Sequence, residues 1–163
     1  MSQLAIYPGS FDPITLGHLS VLKRAATVFS QVQLLVVHNP SKSSEFSIQE
    51  RIELVQRSLT EVGAPGNISV SSLGEGLLVQ RAKELGANAI IKGFRTANDV
   101  EYELPMALVN KDLSGIETVF LAAEAGYGFV SSSLVREVAS LGGDVSKYVT
   151  DSVAQALKAR FAK

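Results

Sequence analysis

The sequence has no cysteine, and only two histidines and two methionines among its 163 residues. Without cysteine there are no disulfides, thiolate metal sites, iron–sulfur clusters or thiol chemistry. The histidines, His18 and His38, are too far apart for HExxH or any similar ligand spacing. Neither sign of charge dominates: fifteen Lys plus Arg face sixteen Asp plus Glu, for a formal net charge of −1. The total therefore gives no reason to expect a nucleic-acid partner, and any anion binding must come from a local site. No apolar run approaches the roughly 20 residues that cross a bilayer, and the start, MSQLAIYPG, lacks a basic stretch leading into an apolar one. A cytoplasmic protein without a membrane partner is the expectation.

Apolar residues are plentiful, at 46% of the chain. At this length roughly 68 to 70% of the extended chain's surface can be buried, so the fold needs no covalent staple. No linker, repeat or low-complexity stretch interrupts residues 1–163, which read as a single domain. Short apolar runs at Leu4 to Tyr7, Val32 to Val37, Ile68 to Ser71, Ala89 to Ile91 and Glu117 to Ala122 alternate with helical patterns. That alternation predicts a parallel five-stranded sheet covered by helices, an open doubly wound α/β fold with ligand-binding loops at the C-terminal strand ends.

Helices are predicted at Leu19 to Phe29, from the capping box Ser47 to Glu50 through about Leu59, and at Leu77 to Leu85 with Gly86 as the stop. Further helices are predicted at Asn98 to Leu113, Ser132 to Leu141 and Thr150 to Phe161. Pro105 either kinks the fourth helix or lies near its start.

The loop after the first strand reads Pro8-Gly9-Ser10-Phe11-Asp12-Pro13-Ile14-Thr15-Leu16-Gly17-His18. It fits neither GxGxxG nor the GxxxxGK[ST] phosphate loop. Gly17 permits close approach of a flat ligand, His18 follows at a helix start whose free amides favour phosphate, and Thr15 offers a hydroxyl to the same anion.

This string resembles the first signature of the nucleotidyltransferase superfamily, whose motif has the form (His/Thr)-x-Gly-His, here Thr15-Leu16-Gly17-His18. Together with the segments Asn39-Pro40-Ser41-Lys42, Lys92-Gly93-Phe94-Arg95, Glu101-Tyr102-Glu103 and Val130-Ser131-Ser132-Ser133, the chain resembles the phosphopantetheine adenylyltransferase family over essentially its whole length. The resemblance implies a Rossmann-like nucleotidyltransferase fold and transfer of AMP from ATP to 4'-phosphopantetheine, giving dephospho-coenzyme A and pyrophosphate. It also implies a homohexamer, a dimer of trimers, and feedback by coenzyme A.

Residue by residue, the resemblance places His18, Lys42 and Arg95 in the catalytic set. It places Ser10, Lys42, Leu77, Leu78, Lys92, Met106 and Asn110 on phosphopantetheine. Gly9, Ser10, Phe11, Gly17, His18, Arg95, Glu103, Tyr127, Val130, Ser131, Ser132 and Ser133 match positions on ATP. Most relatives carry arginine where this chain has Lys92, which keeps the charge and loses the bidentate fork. Either Ser131 or Ser132 is the helix cap at the second signature, and Arg136 either braces this loop or faces the phosphates.

The implied reaction needs no deprotonating residue, because the acceptor's own phosphate, with a second pKa of about 6, is the nucleophile. A covalent serine or histidine intermediate is not expected. Mg²⁺ is the expected cofactor, carried by substrate phosphates and water and not by protein side chains. Two rivals remain in view. One is a cytidylyl- or adenylyltransferase of the same fold acting on glycerol phosphate or nicotinamide mononucleotide; the other is a flavodoxin-like binding module without turnover. The second gives no reason for cations at three separate strand ends.

Overall fold

The computed structural model describes residues 3–41, 43–74 and 76–162. The strands are β1 (Leu4–Gly9), β2 (Gln31–Val36), β3 (Ile68–Ser72), β4 (Ala89–Phe94) and β5 (Glu117–Ala122), all paired in parallel in the order β3-β2-β1-β4-β5. The helices are α1 (Leu16–Val28), α2 (Ile48–Glu61), α3 (Leu78–Glu84), α4 (Ala97–Ser114), α5 (Ser132–Ser140) and α6 (Asp151–Arg160). The order reverses beside β1: the chain moves outward to β2 and β3, then returns to place β4 on β1's other side. The loops leaving β1 and β4 diverge there and open a crevice, the position at which sheets of this kind take ligands.

Strand side chains alternate between two cores, as the pleat requires. Ala5, Tyr7, Val32, Leu34, Val36, Ala89 and Ile91 face the larger one, with Leu22 and Ala25 of α1, Val55 of α2, Val135 of α5 and Leu157 of α6. Ile6, Leu35 and Ile90 face the smaller one, with Val79 and Ala82 of α3. Both faces of the central strands are thus covered, which is why these strands read as nearly continuous apolar runs.

The helix ends follow local chemistry. Ser47 and Glu50 form the predicted capping box, and Gly86, at φ +71°, takes the left-handed conformation past the end of α3. Thr96 and Asp99 form a second such box on α4. Several boundaries differ from the sequence reading, and β4 runs three residues past Ile91 to Phe94. Helix α1 starts three residues early, at Leu16, because Thr15 caps it, and β1 continues to Gly9, whose carbonyl accepts the Val37 amide at 2.8 Å. Pro105 lies well inside α4, neither near its start nor at an end.

Candidate active site

The crevice between the β1 and β4 ends is a cleft of about 380 Å³. Its walls include Gly9, Ser10, Phe11, Gly17 and His18 from the first signature, Lys92 and Arg95 from the end of β4, and Glu103 from α4. Tyr127, Val130, Ser131 and Ser132 complete it. Four segments far apart in sequence thus meet at one place, because parallel strands deliver all their exits to the same edge.

The first signature has no regular structure between β1 and α1, so its shape is set by contacts. Phe11 sits at φ +46°, a region few side chains adopt, with its ring edge-on to Tyr7 and to His18 at centroid distances of 5.3 and 5.2 Å. A side chain at Gly9 would meet that ring at 2.9 Å, so anything larger than glycine there would displace the Phe11 ring. At Gly17 the approach is made by the protein itself: an added Cβ would come within 3.3 Å of Tyr127.

The Thr15 hydroxyl, which the sequence suggested for an anion, lies on the cleft wall and is engaged within the protein. The oxygen accepts the His18 backbone amide at 3.3 Å and lies 3.1 Å from His18 Nδ1, so it is used in capping the helix. The same residue determines the state of the imidazole. The Thr15 amide donates to Nδ1 at 3.1 Å, and an amide can only donate; Nδ1 is therefore unprotonated and the ring hydrogen is on Nε2. Burial, reinforced by the nearby Arg95 charge, lowers the His18 pKa to about 4. His18 is thus a neutral Nε2–H donor on the cleft wall at neutral pH, not an imidazolium.

The cations are steered by neighbours. Lys92 Nζ lies 3.1 Å from Glu103 Oε2, pairing two residues that the sequence assigned to different substrates. Arg95 donates to the Val130 carbonyl at 3.0 Å and meets Asp99 at 3.4 Å, linking the β4 exit to the second signature. Ser131 is the cap of α5, accepting the Leu134 amide at 3.1 Å, whereas Ser132 donates to the Pro13 carbonyl at 2.7 Å. Arg136 braces the first loop, with its guanidinium on the Asp12 carbonyl and 3.7 Å from the Asp12 carboxylate.

Other assigned positions fall outside the cleft. Leu77 lines a second cavity of about 300 Å³ beside Arg81. Leu78 packs beside the smaller core, Met106 is exposed on α4, and Asn110, on the same helix, is buried. Ser133 is exposed in the first turn of α5 and is not part of the wall. Lys42 lies outside the described residues. The sequence reading missed Tyr7, whose ring is buried while it lines the cleft, and Tyr102, which is 84% exposed at the rim. Tyr7 carried no signal beyond an aromatic at a strand position.

Among the described residues no group of three or more His, Asp or Glu side chains could hold a metal ion. Asp99 and Glu103 line the cleft, but Asp99 accepts the Arg95 and Thr96 amides and Glu103 is paired to Lys92. The donor set fits a cation carried on bound phosphates.

The His18 assignment fixes a titration. Its ring protons, followed by NMR, should show a midpoint well below the ordinary value of 6.5, near 4, whereas a midpoint at or above 6.5 would contradict the neutral-donor state. Because the folded pKa is the depressed one, the unfolded chain binds the proton first. This group's contribution to stability should therefore be full above pH 6.5 and be lost as the pH falls towards 4.

The cytidylyltransferase-like family model matches residues 6–138. The phosphopantetheine adenylyltransferase of Clavibacter michiganensis is 49% identical over 160 residues, covering 98% of each chain. That of Leifsonia xyli is 52% identical over 157 residues, covering 96% of this chain and 98% of the relative. That of Thermotoga neapolitana is 50% identical over 155 residues, covering 94% of each. Among solved structures, the nicotinic acid mononucleotide adenylyltransferase of Plasmodium falciparum, complexed with NaAD, superposes with a TM-score of 0.75 at 16% identity. It covers 98% of this chain and 96% of its own. A lipopolysaccharide core biosynthesis protein from Thermoplasma volcanium superposes with a TM-score of 0.55 at 19% identity, over 76% of this chain and 98% of its own. At such identities these two structures bear on the fold alone. Similarity close to half of all positions over nearly the full chain, joined to a cleft built from both signatures, makes this chain a member of the phosphopantetheine adenylyltransferase family.

Proposed function

We infer that the cleft joins ATP to 4'-phosphopantetheine by direct in-line transfer. An oxygen of the acceptor phosphate attacks the α-phosphorus of ATP; the new P–O bond forms as the bond to the leaving pyrophosphate breaks, giving dephospho-coenzyme A. The observation that carries this reading is the neutral His18 donor after β1, set in one cleft with Lys92 and Arg95 from the end of β4. With the acceptor already largely dianionic at pH 7, catalysis reduces to bringing two polyanions together and stabilising charge on the α-phosphoryl oxygens.

In this reading His18 Nε2–H donates to an α-phosphoryl oxygen as charge grows there. Ser10, Lys42 and Lys92 hold the acceptor phosphate. Arg95 and the start of α5 hold the ATP phosphates. Ser131 keeps its own hydroxyl hydrogen available while accepting from Leu134, and Ser132, with its hydroxyl committed to Pro13, contributes through its backbone amide. Mg²⁺, when bound on the ATP phosphates, supplies charge neutralisation at the leaving group.

The oligomer belongs to the same proposal. Leu104, Met106, Leu108, Val109 and Leu113 of α4 are all exposed, an apolar surface suited to contact with further copies in a homohexamer. Feedback by coenzyme A is also part of it, since a molecule carrying the product's adenylyl and pantetheine parts would compete for the cleft. A cytoplasmic site of action completes the reading.

With Mg²⁺, purified protein should convert dephospho-coenzyme A and pyrophosphate into ATP and 4'-phosphopantetheine, followed by coupled ATP detection. Activity confined to CTP and glycerol phosphate, or none with either pair, would overturn the assignment.

The Lys92–Glu103 pair sharpens a second test. In Lys92→Ala the loss is twofold, a phosphate donor and the partner that neutralises Glu103. The Michaelis constant for phosphopantetheine should rise on the order of tenfold or more, and that for ATP much less. Adding Glu103→Gln should recover part of the acceptor affinity. A double variant no better than the single one would show that Glu103 does not oppose the acceptor phosphate.

A further inference from the structure

Arg51, in the first turn of α2, is only 1% exposed, which makes it the largest fully buried side chain among the described residues. None of the carboxylates in those residues pairs with it. Its Nη1 donates instead to the Ser10 carbonyl at 2.8 Å and the Val37 carbonyl at 3.3 Å, and its Nε to the Ser47 carbonyl at 3.4 Å. A buried cation is costly, and well-packed apolar side chains often replace buried ionic groups without loss of stability. Core packing alone is therefore a poor reason for an arginine here.

The three carbonyls give a better one. Ser10 lies in the first signature, and Val37 begins the segment after β2. One guanidinium fastens both, beside the Val37 amide that bonds to Gly9 at 2.8 Å. The Ser10–Phe11 peptide is trans, so its N–H points opposite to its carbonyl. With the carbonyl on Arg51, the Phe11 N–H points away from the guanidinium, on the loop whose Gly9, Ser10 and Phe11 line the cleft. No acceptor among the described residues takes that N–H.

We propose that Arg51 is a positioning residue for the phosphate-facing side of the first loop: it holds the Ser10 carbonyl inward so that the Phe11 amide and the Ser10 side chain are presented to the acceptor phosphate. The charge behind the loop adds a fixed positive potential where two anions meet. This rests on the acceptor assignment above, and the test separates the two.

Arg51→Met and Arg51→Lys are compared with the parent by calorimetric titration of 4'-phosphopantetheine, pantetheine and ATP, and by amide exchange at Phe11 and Val37. In Arg51→Met the preference for phosphorylated over unphosphorylated acceptor should fall on the order of tenfold, with ATP affinity falling less, because Ser10 and Phe11 share the ATP contacts with Arg95 and α5, which are braced elsewhere. Arg51→Lys, which keeps the charge and loses the fork, should lie between the two and remains the test if the methionine variant does not fold. Exchange at Val37 should quicken in both variants. Equal losses for both acceptors, or an unchanged preference in the lysine variant, would overturn the proposal. A parent protein with no preference for the phosphorylated acceptor would instead contradict the acceptor assignment, and unaltered exchange at Val37 would then reject the Arg51 role by itself.

Discussion

The first-signature loop must hold a fixed shape without secondary structure, and the rest of the site depends on how that is done. Between Ser10 and Thr15 no ladder or helix supplies hydrogen bonds, so partners come from other elements. Arg51 of α2 takes the Ser10 carbonyl, Arg136 of α5 takes that of Asp12, and Ser132 takes that of Pro13. The Asp12 carboxylate in turn accepts the Glu45 and Phe46 amides at 2.8 and 2.9 Å, tying down the far end of the segment that follows β2. The loop is thus the hub to which α2, α5 and the segment after β2 are fastened, and its geometry is inherited from the two helices. Preorganisation of this kind lets donors act on developing charge without moving at the moment of reaction.

Electrostatics follows from the same arrangement. Three cationic side chains in one cleft would repel one another and hold anions indiscriminately if all were free. Instead Lys92 is paired with Glu103 and Arg95 is steered by Asp99 and Val130, while His18 is kept neutral by burial and the Arg95 charge. In the proposed function, a neutral imidazole holds the α-phosphoryl group less tightly in the ground state than an imidazolium would, and offers a hydrogen bond that strengthens as charge develops. Such differential binding is what raises a rate.

What the sequence revealed was mostly local. Strand alternation, the Ser47–Glu50 capping box and the Gly86 stop are determined by neighbours a few residues away, and each appears in the structure where it was expected. The cleft's composition was legible through the signatures, because strand exits of a parallel sheet converge. What was not legible is which partner each polar atom takes. Thr15 looked like a phosphate ligand, and the cap it forms on α1 was not read, since the same hydroxyl serves either purpose. Lys92 and Glu103, eleven positions apart, looked independent and form a pair across the β4–α4 turn. Arg51 did leave a trace: it stands four residues before the buried Val55, a cation on the apolar stripe of α2. Only the fold shows that its charge meets carbonyls from two other segments.

The account makes the protein a scaffold for direct attack of one substrate on the other, with no covalent enzyme intermediate. Stereochemistry at phosphorus tests this most directly. With ATP made chiral at the α-phosphorus by sulfur substitution, a single in-line displacement inverts the configuration in dephospho-coenzyme A, and that inversion is the predicted result. Retention would mean two successive displacements through a nucleotidylated side chain, and would contradict the central claim.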